Sequence, residues 1–270
     1  MIVITVPACN ESKTLRKCVE SLLNESRMIN EDFRIVIAED GSTDGTDIVA
    51  ESLESMHPLV VHFHSAKKLG RGLALKRAWS KLDADIYAFV DCDLATDMKY
   101  FPQLINAIRE GNDLATGSRY MKGAKVDRPF LRDVTSRVYN SLIRMMYKAK
   151  VYDHQIGFKA FSKRLIKDEL NNCKSDNWFW DTEIIIRSIH NKYKYVEFPV
   201  EWQEKKGKRT SFKRLLSDIK IHGLGIIWLK NKLCEKWVNP SYRLFIKVTA
   251  KEDSFCLIFL NLTRNLINPT

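Results

Sequence analysis

The chain has no apolar run long enough to cross a bilayer as a helix, which takes about twenty residues. Its most intense apolar stretch, residues 255–262, is far too short. A multi-span membrane protein is therefore not expected. Cysteine is sparse and scattered: Cys9, Cys18, Cys92, Cys173, Cys234 and Cys256 form no C-x-x-C and have no companion histidine spacing. That excludes a disulfide scaffold and a zinc-ribbon pattern, and it reads as the reduced thiols of a cytosolic protein. There is no internal repeat and no low-complexity linker. No G-x-x-x-x-G-K-[ST] occurs, and no G-x-G-x-x-G follows the first apolar run. Neither a nucleotide triphosphatase loop nor a dinucleotide fingerprint is present. Residues 2–6 already read as a strand, so no signal peptide is expected, and the sequons at Asn10, Asn24 and Asn261 carry little weight.

Acidic residues are scarce in one half only. Residues 1–120 hold 14 basic and 18 acidic side chains, whereas residues 121–250 hold 28 basic against 13 acidic. The overall +11 therefore comes from the second half. Such asymmetry points to an anionic partner: a phosphorylated lipid, a membrane surface or nucleic acid. Solvated lysine-rich helix faces account for part of the excess. With 270 residues, 45% hydrophobic and 29% charged, the chain suits one large globular domain with or without a C-terminal appendage.

What is present is a strand–helix alternation. Residues 2–6, 34–38, 60–64 and 86–90 are β-branched apolar runs that predict strands. Between them Leu15, Cys18, Val19, Leu22 and Leu23 recur at helical spacing, as do Leu73, Leu75, Ala78, Trp79 and Leu82. That repetition predicts an α/β fold, with a mostly parallel sheet covered by helices on both faces and ligands at the carboxyl ends of its strands. Further on, residues 133–148 and 180–191 predict helices and residues 195–202 a strand. Residues 212–237 form a basic amphipathic stretch carrying Trp228 and Trp237. It suits an interfacial helix at a membrane, or equally a core helix packed on the sheet. The expected organisation is a catalytic domain over 1–210, the amphipathic helix over 211–237 and a tail over 238–270.

Polar signatures cluster at the predicted strand ends. After the first comes Pro7-Ala8-Cys9-Asn10-Glu11-Ser12, in which Asn10 or Ser12 can cap a helix and Glu11 suits its first turn. After the second comes Glu39-Asp40-Gly41-Ser42-Thr43-Asp44-Gly45-Thr46, whose two leading acids can grip a ribose or a base edge. After the third, Lys67-Lys68-Leu69-Gly70-Arg71-Gly72 opens a helix suited to phosphate. The fourth ends in Asp91-Cys92-Asp93, two carboxylates that suit Mg²⁺ or Mn²⁺ shared with a diphosphate.

This ordered set resembles the family 2 glycosyltransferases of the GT-A fold. Downstream segments narrow the resemblance to polyprenyl-phosphate sugar transferases, the dolichyl-phosphate glucose and mannose synthases. These segments are Gly117-Ser118-Arg119; Arg132, Ser136, Arg137 and Asn140; Asp153 to Phe161; Trp180-Asp181-Thr182-Glu183; and Phe198-Pro199-Val200-Glu201-Trp202 with Gly207-Lys208. The resemblance covers residues 1 to about 235. It implies an inverting, metal-dependent hexosyltransferase moving sugar from a nucleotide sugar to dolichyl or polyprenyl phosphate. Pro7, Asn10, Glu11, Glu39, Asp40, Lys68, Arg71, Asp91, Cys92, Asp93 and Gln155 would line the donor site. Asp91 and Asp93 would hold the ion, and Arg119, Arg132 and Ser136 would guide the lipid phosphate. Asp181 would hold sugar hydroxyls or assist as a base, or else cap a helix. Trp178, Phe179 and Trp180 are core aromatics or a sugar platform.

Cys9 and Ala95 depart from the mannose enzymes, and the later motifs differ too. These departures favour UDP-glucose or another UDP-hexose, with GDP-mannose or a non-lipid glycan acceptor as the alternatives. The expected setting is peripheral, on the cytoplasmic face of a membrane, with no nucleic acid partner.

Overall fold

The computed structural model describes residues 1–27, 29 and 31–205. They divide between two compact units. The first comprises Met1–Val126 and Gln155–Gln203; the described part of the second is Asp127–His154 with Glu204 and Lys205.

In the first unit, β1 (Ile2–Ala8), β2 (Phe33–Glu39), β3 (Val60–Phe63) and β4 (Ile86–Val90) form the parallel part of a seven-stranded sheet. With β5 (Leu114–Ser118), β7 (Phe158–Ser162) and β8 (Tyr195–Pro199), its order is β3-β2-β1-β4-β7-β5-β8. Strand β7 runs antiparallel to both β4 and β5, and β8 is parallel to β5. The short strands β6 (Lys125–Asp127) and β9 (Glu201–Gln203) form a separate ribbon.

Strand alternation sorts side chains to two faces. Ile2, Ile4 and Val6 of β1, with Ile35 and Ile37 of β2 and Ala88 of β4, join Leu15, Leu22, Leu53, Phe101 and Leu104 in one apolar core. These last come from α1 (Leu15–Arg27), α2 (Thr46–Met56) and α4 (Phe101–Arg109). The other face is aromatic: Trp79, Tyr87, Phe89, Phe161 and Trp180 have ring centroids 5.6–6.3 Å apart. It is covered by α3 (Arg71–Trp79) and α7 (Trp180–His190), with α6 (Lys163–Glu169) beside α7. Thr5 alternates onto this face and accepts a hydrogen bond from Trp79 Nε1 at 2.8 Å.

In the second unit, α5 (Phe130–Tyr147) is stopped by Lys148, whose φ of 53° is left-handed. The helix predicted over 133–148 thus begins three residues earlier, because Pro129 fixes the entering backbone at its N-cap. The strand predicted over 195–202 is two strands broken at Val200, and the one over 60–64 ends at Phe63. Strands β5, β6 and β7 and helices α2, α4 and α6 were not anticipated. The amphipathic stretch 212–237 and the tail 238–270 lie outside the described residues.

Candidate active site

The loops after β1 and β2 are stitched together by their own polar groups. Asn10, with φ of 57°, accepts from the Thr43 N–H through Oδ1 at 2.8 Å, while its own N–H donates to Ser42 Oγ at 3.0 Å. The Glu11 N–H donates to Thr46 Oγ1 at 2.8 Å. Ser12 donates from both N–H and Oγ to Asp44 Oδ2, at 3.1 and 2.9 Å. Asp44 is exposed. What burial it has would raise its pKa, but bonds from Thr46 and Ser12 outweigh this and hold the carboxyl at about 2.

Glu39 and Asp40 are buried and largely engaged with backbone. Glu39 accepts from Ser42 N–H at 2.6 Å and Ser65 N–H at 3.3 Å, and its Oε2 lies 2.8 Å from His64 Nδ1. Burial raises its pKa, yet these partners bring it below the usual glutamate value. Asp40 accepts from the N–H groups of Leu69 and Gly70, at 2.5 and 3.0 Å. Asp40 therefore fixes the turn that opens α3, while Glu39 ties Ser42 and Ser65 to the end of β2. Lys68 in that turn is exposed.

That turn delivers Arg71 to a position the sequence did not reveal. A Cβ on Gly72 would lie 2.7 Å from Trp180 Cβ and 2.8 Å from Ser175 O, so only glycine lets α3 pack this closely on the segment before α7. Leu73 N–H donates to Asp176 O at 3.1 Å. The buried carboxylate of Glu183 in turn accepts from the N–H groups of Lys174 and Ser175. Arg71 Nη2 consequently stands 3.2 Å from Asp91 Oδ1 and 3.5 Å from Asp181 Oδ2. Its side chain is 4% exposed and makes no hydrogen bond among the described residues. The guanidinium lies 4.8 Å from the Phe89 ring centroid and 4.7 Å from that of Trp178. Stacking holds the cation without consuming its N–H donors. Trp178 is thus exposed and paired with Arg71, whereas Phe179 and Trp180 belong to the core.

Asp91 follows β4 at the carboxyl end of the sheet, its N–H donating to Gly157 O at 2.8 Å. A Cβ on Gly157 would lie 2.1 Å from the Asp91 carboxylate, so this glycine makes room for the acid. Asp93 accepts the Ala95 N–H at 3.1 Å. These hard oxygen donors at a partly exposed strand end fit Mg²⁺ or Mn²⁺. Cys92 between them is buried, 3.7 Å from Thr14 Oγ1, leaving only its backbone to the site. Pro7 and Gln155 are half-buried. Arg119, 6% exposed after β5, lies between the rings of Tyr120 and Trp202, at 5.4 and 5.3 Å.

Arg132 and Ser136 belong to the second unit. There Glu204 pairs with Arg132, and lies 3.7 Å from Arg128 Nε. Arg128 Nη1 donates to Ser136 Oγ at 3.0 Å. Asn140 donates to Ser136 O and accepts from His154 N–H, both at 2.9 Å. Sequence reasoning missed Arg128 and Glu204, which stand outside the quoted motifs.

The family described as glycosyl transferase family 2 matches residues 3–171. Glycosyltransferase AglD of Haloferax volcanii is 40% identical over 207 residues, covering 75% of this chain and 33% of that protein. Dolichol-phosphate mannosyltransferase of Pyrococcus furiosus is 31% identical over 199 residues, covering 72% and 55%. A dolichyl-phosphate beta-glucosyltransferase of Trichomonas vaginalis is 27% identical over 211 residues, covering 74% and 63%. The chain thus spans between a third and two thirds of these relatives' lengths. In fold it is similar to glucosyl-3-phosphoglycerate synthase of Mycobacterium tuberculosis, solved with Mn²⁺, UDP-glucose and phosphoglyceric acid. The TM-score is 0.62 at 18% identity, over 86% of this chain and 79% of that one.

Proposed function

The chain belongs to glycosyl transferase family 2, and we propose that it transfers a hexose from a nucleotide sugar to a polyprenyl phosphate with inversion at the anomeric carbon. The observation that carries this reading is the convergence of Arg71, Asp91 and Asp181 at the carboxyl ends of the strands. Relatives named for dolichyl- or polyprenyl-phosphate acceptors support the acceptor class. Those same relatives are named for both mannose and glucose transfer. We favour UDP-glucose from Cys9 and Ala95, where the mannose enzymes carry other residues.

Transfer requires the leaving diphosphate to be stabilised as charge develops on it. A divalent ion on Asp91 and Asp93 would neutralise part of that charge. Arg71 adds a preorganised cation, its donors left for phosphate oxygens by the stacking on Phe89 and Trp178. Pro7, Asn10, Glu11, Glu39 and Asp40 build the nucleoside wall, the last two by holding the backbone that shapes it. Lys68 attracts the diphosphate from outside, and Gln155 and the backbone of Cys92 border the sugar. Asp181 is paired with Arg71, which suits it to orienting sugar hydroxyls. A lipid phosphate needs little help, since its second pKa of about 6 leaves it ionised near neutrality. Arg119 would bind it as a fork of donors; for Arg132 and Ser136, in the second unit, an acceptor role rests on the motif resemblance alone. The enzyme would act peripherally at the cytoplasmic face of a membrane, attached through the basic half and residues 212–237. Among the described residues no helix is long and apolar enough to cross a membrane.

The acceptor assignment is tested by offering dolichyl phosphate and 3-phosphoglycerate in competition with labelled donor. Label is expected in the solvent-extractable lipid. Label recovered only in the soluble phosphate ester would overturn the lipid acceptor while leaving the donor site intact.

A further inference from the structure

Away from Asp91 and Asp93, on the edge strand of the sheet, two histidines and a glutamate converge. His62 lies on β3, and His64 directly follows that strand's end at Phe63, with one residue between the two histidines. Glu39 ends the neighbouring strand β2. One ligand atom from each of Glu39, His62 and His64 can be chosen so that all lie within 4.8 Å of one another. His64 Nδ1 is already 2.8 Å from Glu39 Oε2, and the two imidazole centroids are 6.0 Å apart. His62 supplies the most telling atom: its Nε2 is buried and has no hydrogen-bond partner among the described residues. A buried polar nitrogen left without a partner calls for an explanation, and an absent ion is one.

We propose that Glu39, His62 and His64 form a second cation site, specific for a borderline divalent metal such as Zn²⁺ and distinct from the all-oxygen pair Asp91 and Asp93. Two imidazoles and one carboxylate suit Zn²⁺ and disfavour Mg²⁺. Three protein ligands leave a fourth position open to water. Bonds of about 2.1 Å in tetrahedral geometry set ligands about 3.4 Å apart, so modest side-chain rotations close the site. His64 then exchanges its contact with Glu39 for the ion. Ion binding at this set requires neutral imidazoles and an ionised carboxylate. Glu54 accepts from the His62 N–H at 2.8 Å, which fixes the strand backbone there. An ion here would tie β3 to the end of β2, beside Asp40, which holds the turn before α3. The inference does not rest on the proposed reaction.

The test uses the tag-free full chain, stripped with chelator and titrated with Co²⁺ as a spectroscopic probe. Near-stoichiometric binding is expected, with the visible bands of nitrogen and oxygen coordination, reversed by Zn²⁺. His62→Ala and His64→Ala should each weaken that binding at least about 100-fold, the upper end of the cost of losing an outer partner of a metal ligand. Asp93→Asn should leave it unchanged. His64, with its side chain 54% exposed, can be replaced without disturbing the core. Melting temperatures in chelator check each variant's fold. Full Co²⁺ affinity in folded His64→Ala would overturn the proposal, as would loss of these bands in Asp93→Asn, which would place the ion at Asp91 and Asp93.

Discussion

Arg71 Nη2 lies 3.5 Å from Asp181 Oδ2, joining the first turn of α3 to the first turn of α7 through a buried ion pair. The same nitrogen is 3.2 Å from Asp91, so one cation compensates two acids. Removing one partner of a buried pair costs about 3–5 kcal/mol. Arg71→Ala should lower stability by an amount near the bottom of that range, because Asp91 is partly exposed. Sugar transfer should fall about 100-fold or more, as when one preorganised donor is lost. Mn²⁺ should raise the melting temperature of this variant more than that of the wild type, since the ion replaces the missing charge beside Asp91. Thermal melts with and without Mn²⁺ check this, and equal shifts would separate Arg71 from the metal site.

Gly157 tests the space for Asp91. Gly157→Ala would set a methyl group 2.1 Å from the Asp91 carboxylate, which must then move. The expected result is weakened Mn²⁺ affinity and a loss of transfer, with destabilisation of about 1–3 kcal/mol from overpacking. Titration of the variant with Mn²⁺ by electron paramagnetic resonance reads this directly, and unchanged affinity would show that Asp91 is not a ligand.

Gly72→Ala should be costlier for the fold. Its Cβ would meet Ser175 O and Trp180 Cβ, and neither a backbone oxygen nor a core Trp can swing aside. Denaturant unfolding should show a lower midpoint at unchanged slope, with Arg71 displaced and transfer reduced in the remaining folded protein.

Asp44 gives a pH signature. Its folded-state pKa of about 2 lies below the usual value near 3.9. Its contribution to stability is therefore complete above about pH 4 and is lost as pH falls through about 2. Asp44→Asn should flatten the fall in melting temperature over that window and leave the curve near pH 7 parallel to that of the wild type. An unchanged acid limb in the variant would show that the stitch between the first two loops does not contribute.

Much of this was legible in the sequence, for physical reasons. Strands β1, β2 and β4 are β-branched runs buried on both faces, so composition alone marks them. Asp91, Asp93, Glu39 and Asp40 stand where such strands end, and an acid at a strand end is visible as a break in the apolar pattern. Strand β5 was missed because Leu114-Ala115-Thr116-Gly117-Ser118 is mostly small, and Gly117 is needed where Val200 and Phe158 press close. Strand β7 carries the fully buried Lys159, which breaks the apolar pattern. That lysine is accommodated only in the tertiary structure, by Ile156 O and the Phe89 ring. Arg71 read as a phosphate ligand on a helix start, but its meeting with Asp181 depends on α3 and α7 packing on the same sheet face. The spacing of His62 and His64 was visible, but nothing local showed that Glu39 lies beside them.

Transfer of a hexose to a polyprenyl phosphate is proposed at the site of Asp91, Arg71 and Asp181. The most direct measurement offers dolichyl phosphate with labelled UDP-glucose, other UDP-hexoses or GDP-mannose, in Mn²⁺ or Mg²⁺ and again in chelator. Lipid-linked product from UDP-glucose is expected, abolished by chelator and by Asp93→Asn. Lipid product that survives both chelator and Asp93→Asn would contradict this proposal.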